Sequence, residues 1–297
     1  GLVQAPAAYD PLANLEAAAP SNARVFTFGV GDDVDTFLLD KIAQSFGGAS
    51  SYVRPTERID EEVASLFNKI SAPVLTNVTL TVDGTMIDST YPQMPLPDLF
   101  AGTQLAIVGR YRDGAEDETL TLSGLMNGEP QSFVYDDLAF RSVAGGEPFV
   151  AQLWATRRIG DLLNTIRLEG EDPELVDSVI NLSVRYGIIT PYTSFLIDEN
   201  DILSQTGRAA AAEQFAQAAQ GLSSQASGAA AVGAADMAFS LQEAAAPMPM
   251  PTMTAGGVNE GEAGQSGRQP LQTVNGKTFF LRDGVWTDST FDPDTMT

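Results

Sequence analysis

Asp32, Asp33 and Asp35 crowd into four positions directly after an apolar run, Val25, Phe26, Phe28 and Val30, that closes on Gly31. Carboxylates this close together have two uses. They can supply oxygen ligands to Ca²⁺ or Mg²⁺, or accept hydrogen bonds from the free N–H groups that open a helix, which is the commoner use. The same stretch, Gly29-Val30-Gly31-Asp32-Asp33-Val34, superficially matches a dinucleotide-binding turn. Val34 replaces the third glycine, however, and two aspartates would repel a pyrophosphate, so that use is rejected. The adjacent carboxylates Glu61-Glu62, Asp136-Asp137 and Glu171-Asp172 are sequence neighbours, which point apart on a helix, and suggest no acid–base pair.

Histidine and cysteine are both absent from the 297 residues. That removes Ser-His-Asp and Cys-His nucleophilic systems and the His/Cys structural zinc sites. Carboxylate pairs, Ser-Lys and Tyr are the catalytic options left. Sixteen basic against 39 acidic residues give a net charge of −23. Such a surface disfavours nucleic acid and anionic membranes, because neutralising phosphate takes Lys and Arg. No long apolar span predicts membrane insertion. Arg157-Arg158 could grip an acidic partner, although pairing with Asp161 is more ordinary. Trp154 and Trp286 are large apolar groups expected in a core. Asn77-Val78-Thr79 and Asn181-Leu182-Ser183 match a glycosylation acceptor by chance, since each falls in a regular element.

The elements that position the aspartates come from residues 24–70. The apolar run at 25–30 has the continuous character of a parallel strand covered on both faces. Phe37, Leu38, Ile42 and Phe46 give the next helix one apolar face, and Gly47-Gly48 stops it. Ser51-Tyr52-Val53 is a second short strand. Thr56 is expected to open a helix whose Ile59, Val63, Leu66, Phe67 and Ile70 recur at helical spacing. Two β-α units in succession imply a parallel sheet, and two strands are too few to complete it. Upstream, residues 10–19 suggest a short helix.

From Val74 the period becomes two. Val74, Thr76, Val78, Leu80 and Val82 are expected on one face, with Leu75, Asn77, Thr79 and Thr81 on the other. Residues 103–112, 118–125 and 131–135 read as further strands, with turns at Asp83-Gly84, Asp113-Gly114 and Asn127-Gly128. The Pro-rich residues 91–97 read as a crossover between strands. Residues 149–168 and a helix begun by Pro173 and ended by Gly187 form an antiparallel helical hairpin, and 188–197 run extended. Residues 208–222 are an Ala/Gln-rich helix. Residues 223–269, rich in Ala, Gly, Ser, Pro and Met, are expected to be a flexible linker. Residues 274–287 restore order as a hairpin with Asp283-Gly284 at its turn.

Several segments together carry a family resemblance: Arg24-Val25-Phe26-Thr27-Phe28-Gly29-Val30-Gly31-Asp32-Asp33-Val34, Leu38-Leu39-Asp40, Tyr52-Val53-Arg54-Pro55 and Lys69-Ile70-Ser71-Ala72-Pro73-Val74-Leu75. Leu153 through Gly160, Arg185 through Leu196 and Thr278 through Trp286 extend it over most of the chain outside the low-complexity stretch. Residues 24–70 resemble the C-terminal half of a von Willebrand factor type A domain. More narrowly, the chain is similar to bacterial relatives of inter-alpha-trypsin inhibitor heavy chains, which join a VIT domain to a type A domain. The resemblance implies that the family's metal ligands lie upstream of Gly1, so that Mg²⁺ or Ca²⁺ belongs to the intact type A domain and not to this chain. Gly31, Asp32, Asp33 and Asp35 would then shape the ligand face beside the ion. It also implies a secreted or cell-surface protein.

The resulting expectation is an α/β fold, the C-terminal half of a doubly wound type A domain (1–72). An antiparallel β region (73–145) follows, with a helical hairpin packed on it (146–200). An Ala-rich helix with a flexible linker (201–270) leads to a β-hairpin tail (271–297). The expected function is non-enzymatic protein or matrix binding of the adhesion type. Its partners would be another protein and the upstream half of the same protein. The alternatives are a carboxylate-dependent or Ser-Lys hydrolase and a structural component of a cell envelope.

Overall fold

The computed structural model describes residues 10–20, 23–70, 72–112, 114, 116–141, 147–190, 193, 205–246, 271–274, 277–282 and 285–288. Ser71, the Asp113 and Asp283-Gly284 turn positions, most of the expected extended run at 191–197 and the part of the expected linker at 247–270 lie outside them. The fold is mixed α/β with antiparallel sheets and packed helices.

Helix α1 (Pro11–Ala18) opens on Asp10, whose carboxylate accepts from Ala13 N–H, with proline at its first position. Strand β1 (Thr27–Val30) pairs in parallel with β2 (Ser50–Val53), and α2 (Thr36–Ser45) connects them. At the end of α2 the chain passes so close to Val25 that a Cβ on Gly48 would lie 1.8 Å from the Val25 carbonyl oxygen. Only glycine fits there. Helix α3 (Ile59–Ile70) begins three residues later than the Thr56 start expected, because Glu57 closes a turn on the Arg54 N–H instead. Its apolar stripe is also not buried: Ile59, Val63 and Phe67 are 49%, 45% and 64% exposed. A two-stranded sheet is too narrow to cover it.

Among the described residues the β region has six strands, where sequence periodicity gave about four. Strands β3 (Pro73–Val82), β4 (Met86–Tyr91), β5 (Leu99–Phe100), β6 (Val108–Arg112), β7 (Glu118–Met126) and β8 (Glu129–Leu138) form a four-stranded sheet, β5-β3-β7-β8, and a separate β4–β6 ribbon. The Pro-rich residues 92–97 do cross between strands, with Leu96 buried. The expected inward face of β3 is corrected by a bulge. Asn77 sits at φ +51° and the register slips between Thr76 and Thr79. The phase therefore flips mid-strand: Leu75 joins Val78 in the core and Val74 is left 38% exposed.

Helices α4 (Pro148–Glu169) and α5 (Pro173–Tyr186) make the expected hairpin. Asp172 caps α5 through Glu174 N–H, and Gly187 ends it in the left-handed conformation. Leu153, Trp154, Ile159, Leu162, Leu163 and Ile166 of α4 pack on Val176, Val179 and Ile180 of α5. Phe149 and Val150, at the α4 start, stay exposed. Helix α6 (Gln205–Ser224) adds Phe215, which is fully buried in the same core.

The expectation of a flexible linker over 223–269 is corrected by α7 (Ala229–Gln242), which packs along α4. Its Ala231, Val232, Ala235, Ala238 and Leu241 are all buried. Low complexity misled here because small residues serve as close-packing surface: Gly160 of α4 lies directly beneath Leu241 and Gln242. Among its described residues the tail has three strands, β9 (Leu271–Val274), β10 (Lys277–Arg282) and β11 (Val285–Asp288), so the expected hairpin gains a partner. Trp286, expected in a core, is 40% exposed.

A Cβ at Gly160 would fall 2.6 Å from Leu241 Cβ and 2.7 Å from Gln242 N. Gly160→Val should therefore destabilise the protein by about 1–3 kcal/mol in denaturant unfolding, as overpacked cores do. It should also make residues 229–242 cleavable in limited proteolysis while the α/β unit stays resistant.

Candidate functional site

The loop that carries the aspartates leaves β1 at its C-terminal end. Gly31, at φ +84°, donates its N–H to the Val53 carbonyl (2.9 Å) and so prolongs the β1–β2 ladder by one bond. Asp35 caps α2, its Oδ1 accepting from Leu38 N–H at 3.0 Å. Asp33 is exposed and Asp32 half-buried. Among the described residues no group of three or more Asp, Glu, His or Cys could hold a metal ion. The capping use accounts for Asp35.

What the loop does have is a clamp that sequence reading missed. Gly228, at the entry to α7, donates its N–H to the Asp32 carbonyl (2.7 Å). Thr36, fully buried, donates both its N–H and its Oγ1–H to the Ala226 carbonyl (2.8 and 3.0 Å). A segment 190 residues downstream therefore holds the loop from both ends.

Behind the loop lies a buried polar chain. Arg167 of α4 is 2% exposed. Its Nη1 donates to Thr36 Oγ1 (3.3 Å), and its Nη2 donates to Asp40 of α2 and to Asn164 (2.7 Å). The Phe37 ring lies 5.5 Å from the guanidinium carbon, a cation–π distance. Tyr52 of β2 donates its hydroxyl to Asp40 Oδ1 (2.7 Å) and to the Thr36 carbonyl (3.2 Å). Burial first, then the Asp40 charge and hydrogen bond, pushes the Tyr52 hydroxyl far above the ordinary tyrosine range. Among the described residues Arg167 Nε finds no hydrogen-bond partner, so the pair is held by geometry that leaves this donor unsatisfied there.

About three helical turns away on α4, Arg157 is 4% exposed. Among the described residues it makes no ion pair within 4.0 Å. Its Nη1 donates to the carbonyls of Tyr91 (2.9 Å) and Ala106 (2.6 Å), and its Nε donates to the Ala244 carbonyl just past α7 (2.9 Å). Burial lowers its pKa. Arg158 takes the ordinary role expected of the pair, bonding Asp161 (3.1 Å) and the Tyr91 hydroxyl (2.9 Å). Burial raises Asp161 despite that contact.

A groove of about 630 Å³ runs between these layers, lined among others by Asp40, Tyr52, Asp98, Arg157 and Asp236. Each of the three aspartates already faces a guanidinium: Asp40 with Arg167, Asp98 with Arg24 (3.1 Å) and Asp236 with Arg54 (2.8 Å). These pairs tie the α/β unit to the β region and to α7. The ion pairs lining the groove give it the chemistry of a joint.

Removing one partner of a buried pair strands the other, at a cost of about 3–5 kcal/mol. Arg167→Met and Asp40→Leu should each show losses of that size in chemical unfolding. The double variant should lose clearly less than their sum, a coupling read from the double-mutant cycle. A second consequence concerns pH. The Tyr52 pKa is raised on folding, so the stability it contributes is complete below the ordinary tyrosine pKa near 10 and is lost as pH rises beyond it. Ultraviolet titration should find one tyrosine that ionises only with unfolding, and Tyr52→Phe should abolish that phase.

No family model matches the chain. Two human proteins are similar to it: inter-alpha-trypsin inhibitor heavy chain H6, 25% identical over 205 residues, and heavy chain H4, 25% identical over 203. These alignments cover 63% and 65% of this chain but 15% and 22% of the relatives. A von Willebrand factor A domain-containing protein of Dictyostelium discoideum is 23% identical over 191 residues, covering 63% of this chain and 21% of its own length. Among solved structures, a von Willebrand factor type A protein from Catenulispora acidiphila aligns over 54% of this chain and 48% of its own, with a TM-score of 0.30 and 14% identity. The chain thus spans about a fifth of the length of these curated relatives. Over nearly two-thirds of its own length it is homologous to inter-alpha-trypsin inhibitor heavy chains and von Willebrand factor A domain proteins.

Proposed function

We propose that the chain is a non-enzymatic, adhesion-type binding module of a protein that joins VIT and type A domains, acting at the cell surface or outside the cell. Within it, residues 1–72 are the closing portion of a type A domain. Residues 73–145 and 146–200 are the β region and helical hairpin that receive it. The Gly31, Asp32, Asp33 and Asp35 loop shapes a ligand face whose Mg²⁺ or Ca²⁺ is held by residues of the intact protein upstream of Gly1.

The observation that carries this reading is the unfinished α/β unit. Its two parallel strands end at the loop where open α/β sheets bind their ligands, and α3 holds Ile59, Val63 and Phe67 in solvent. An apolar stripe of that kind marks a protein contact, and its first partner is the upstream half of the same protein. Homology to von Willebrand factor A domain proteins supports the choice of binding over catalysis. So does a sequence without histidine or cysteine. Among the described residues, no helix is long and apolar enough to cross a membrane.

Hydrogen exchange of residues 59–70 tests the reading. In the full-length protein these amides should be protected well beyond their level in the 297-residue chain, and addition of Mg²⁺ should change their exchange again. Equal exchange in the two proteins would remove the basis for a shared type A domain. Insensitivity to Mg²⁺ would remove the coupling of α3 to the ion.

A further inference from the structure

Strand β8 ends the four-stranded sheet, and among the described residues nothing pairs with its outer edge. Residues 129–137 are all exposed, Phe133, Val134 and Tyr135 among them. The turn before the strand fixes which backbone groups that edge offers. Asn127 and Gly128 make a two-residue loop with φ +52° and +84°, the type I′ geometry, so the flanking pair Met126 and Glu129 exchanges both its hydrogen bonds. Hydrogen-bonded and non-hydrogen-bonded pairs then alternate along the ladder. Glu129, Gln131, Phe133 and Tyr135 bond inward to β7, and Pro130, Ser132 and Val134 turn their backbone groups outward. Pro130 fits that parity, having no N–H to leave unpaired. At the far end the register slips and Asp137 takes φ +59°, which closes the regular edge. The open stretch, Gln131 to Tyr135, carries no charge.

Cross-strand neighbours say what matches this edge. Leu80 stands beside Leu122 and Leu122 beside Phe133, while Val82 stands beside Leu120 and Leu120 beside Tyr135. Two apolar rows thus cross β3 and β7 and run out at the edge. A two-fold axis through Val134, perpendicular to the sheet, continues both. It sets Phe133 opposite Tyr135 of the second copy, and Tyr135 opposite Phe133, as aromatic pairs at the closer, non-hydrogen-bonded positions. Val134 meets its own symmetry mate at an outward position, where the two exchange both N–H···O bonds. Asp136 falls opposite Ser132, and Glu129 lies beyond the paired residues, so no carboxylate faces another. An axis through Ser132 would instead set Phe133 against Gln131 and Tyr135 against Glu129, breaking both rows. We propose that the chain forms a two-fold dimer by antiparallel β8–β8 pairing centred on Val134, which joins two four-stranded sheets into one.

The test is sedimentation equilibrium of the 297-residue chain over a range of concentrations. The expected result is a reversible monomer–dimer equilibrium that strengthens as salt is added, because two chains of net charge −23 repel at long range while the contact itself is uncharged. Val134→Pro removes both axial N–H donors at a position whose N–H faces solvent in the monomer. It should abolish the dimer while circular dichroism stays that of the parent. Val134→Lys keeps the backbone donors but sets two ammonium groups opposite each other, and should also abolish it. Phe67→Lys, on the exposed stripe of α3, should have no effect. The sequence has no cysteine, so Val134→Cys reports the contact directly. Cα atoms of a hydrogen-bonded antiparallel pair lie about 5.5 Å apart, within disulfide reach. Mild oxidation should give a covalent dimer from Val134→Cys and none from Asp33→Cys. A chain that stays monomeric at every concentration and salt overturns the proposal, as does association past the dimer. So does a dimer that survives both Val134→Pro and Val134→Lys, is lost with Phe67→Lys, or yields no cross-link through Val134→Cys.

Discussion

Two guanidinium groups buried on one helix constrain how every other layer can be arranged. A charge taken out of water must be met by hydrogen bonds or be expelled, and α4 carries two such charges, Arg157 and Arg167. Arg167 is met by α2, through Asp40 and Thr36, which locks the α/β unit to the helical hairpin. Arg157 is met by three backbone carbonyls, from the β4 end, the residue before Ile107 and the exit of α7. Carbonyls cannot move independently of their elements, so satisfying Arg157 sets the relative placement of β region, α4 and α7 at once. Apolar packing around Trp154, Ile159 and Ile166 supplies adhesion among these layers. The arginines supply register.

Helix α7 is the piece that turns this packing into a connection. One end presents Ala226 and Gly228 to the loop of Asp32 and Thr36, and the other presents the Ala244 carbonyl to Arg157. Between them small side chains let it lie close on Gly160. The aspartate loop is thereby fastened to the same strut that fastens the β region. A displacement at either end has a covalent helix to travel along, which is the physical content of any coupling between the two.

The α/β unit and the β region differ in how finished they are. The core under α4 closes on all sides, whereas α3 keeps an apolar stripe in water and the two sheets of the β region leave a cavity between them. Both are surfaces with chemistry left over.

What the sequence alone determined was local. The Asp35 cap, the Pro173 start, the Gly187 stop, the parallel strands at 27–30 and 50–53, the α4–α5 hairpin and the pairing of Arg158 with Asp161 all follow from contacts within a few residues or from a simple period. The resemblance to type A domains was legible for the same reason, as it rests on contiguous motifs. Only the tertiary structure decided the rest. The bulge at Asn77 reassigned the faces of β3, because one residue of slip inverts every later side chain. The role of Arg157 and Arg167 depends on carbonyls and carboxylates 51 to 127 residues away. The clamp on the aspartate loop comes from an Ala-rich stretch whose composition reads as linker. Its helix exists because α4 offers a groove shallow enough for alanine, and no period within residues 229–242 reports the shape of a neighbour.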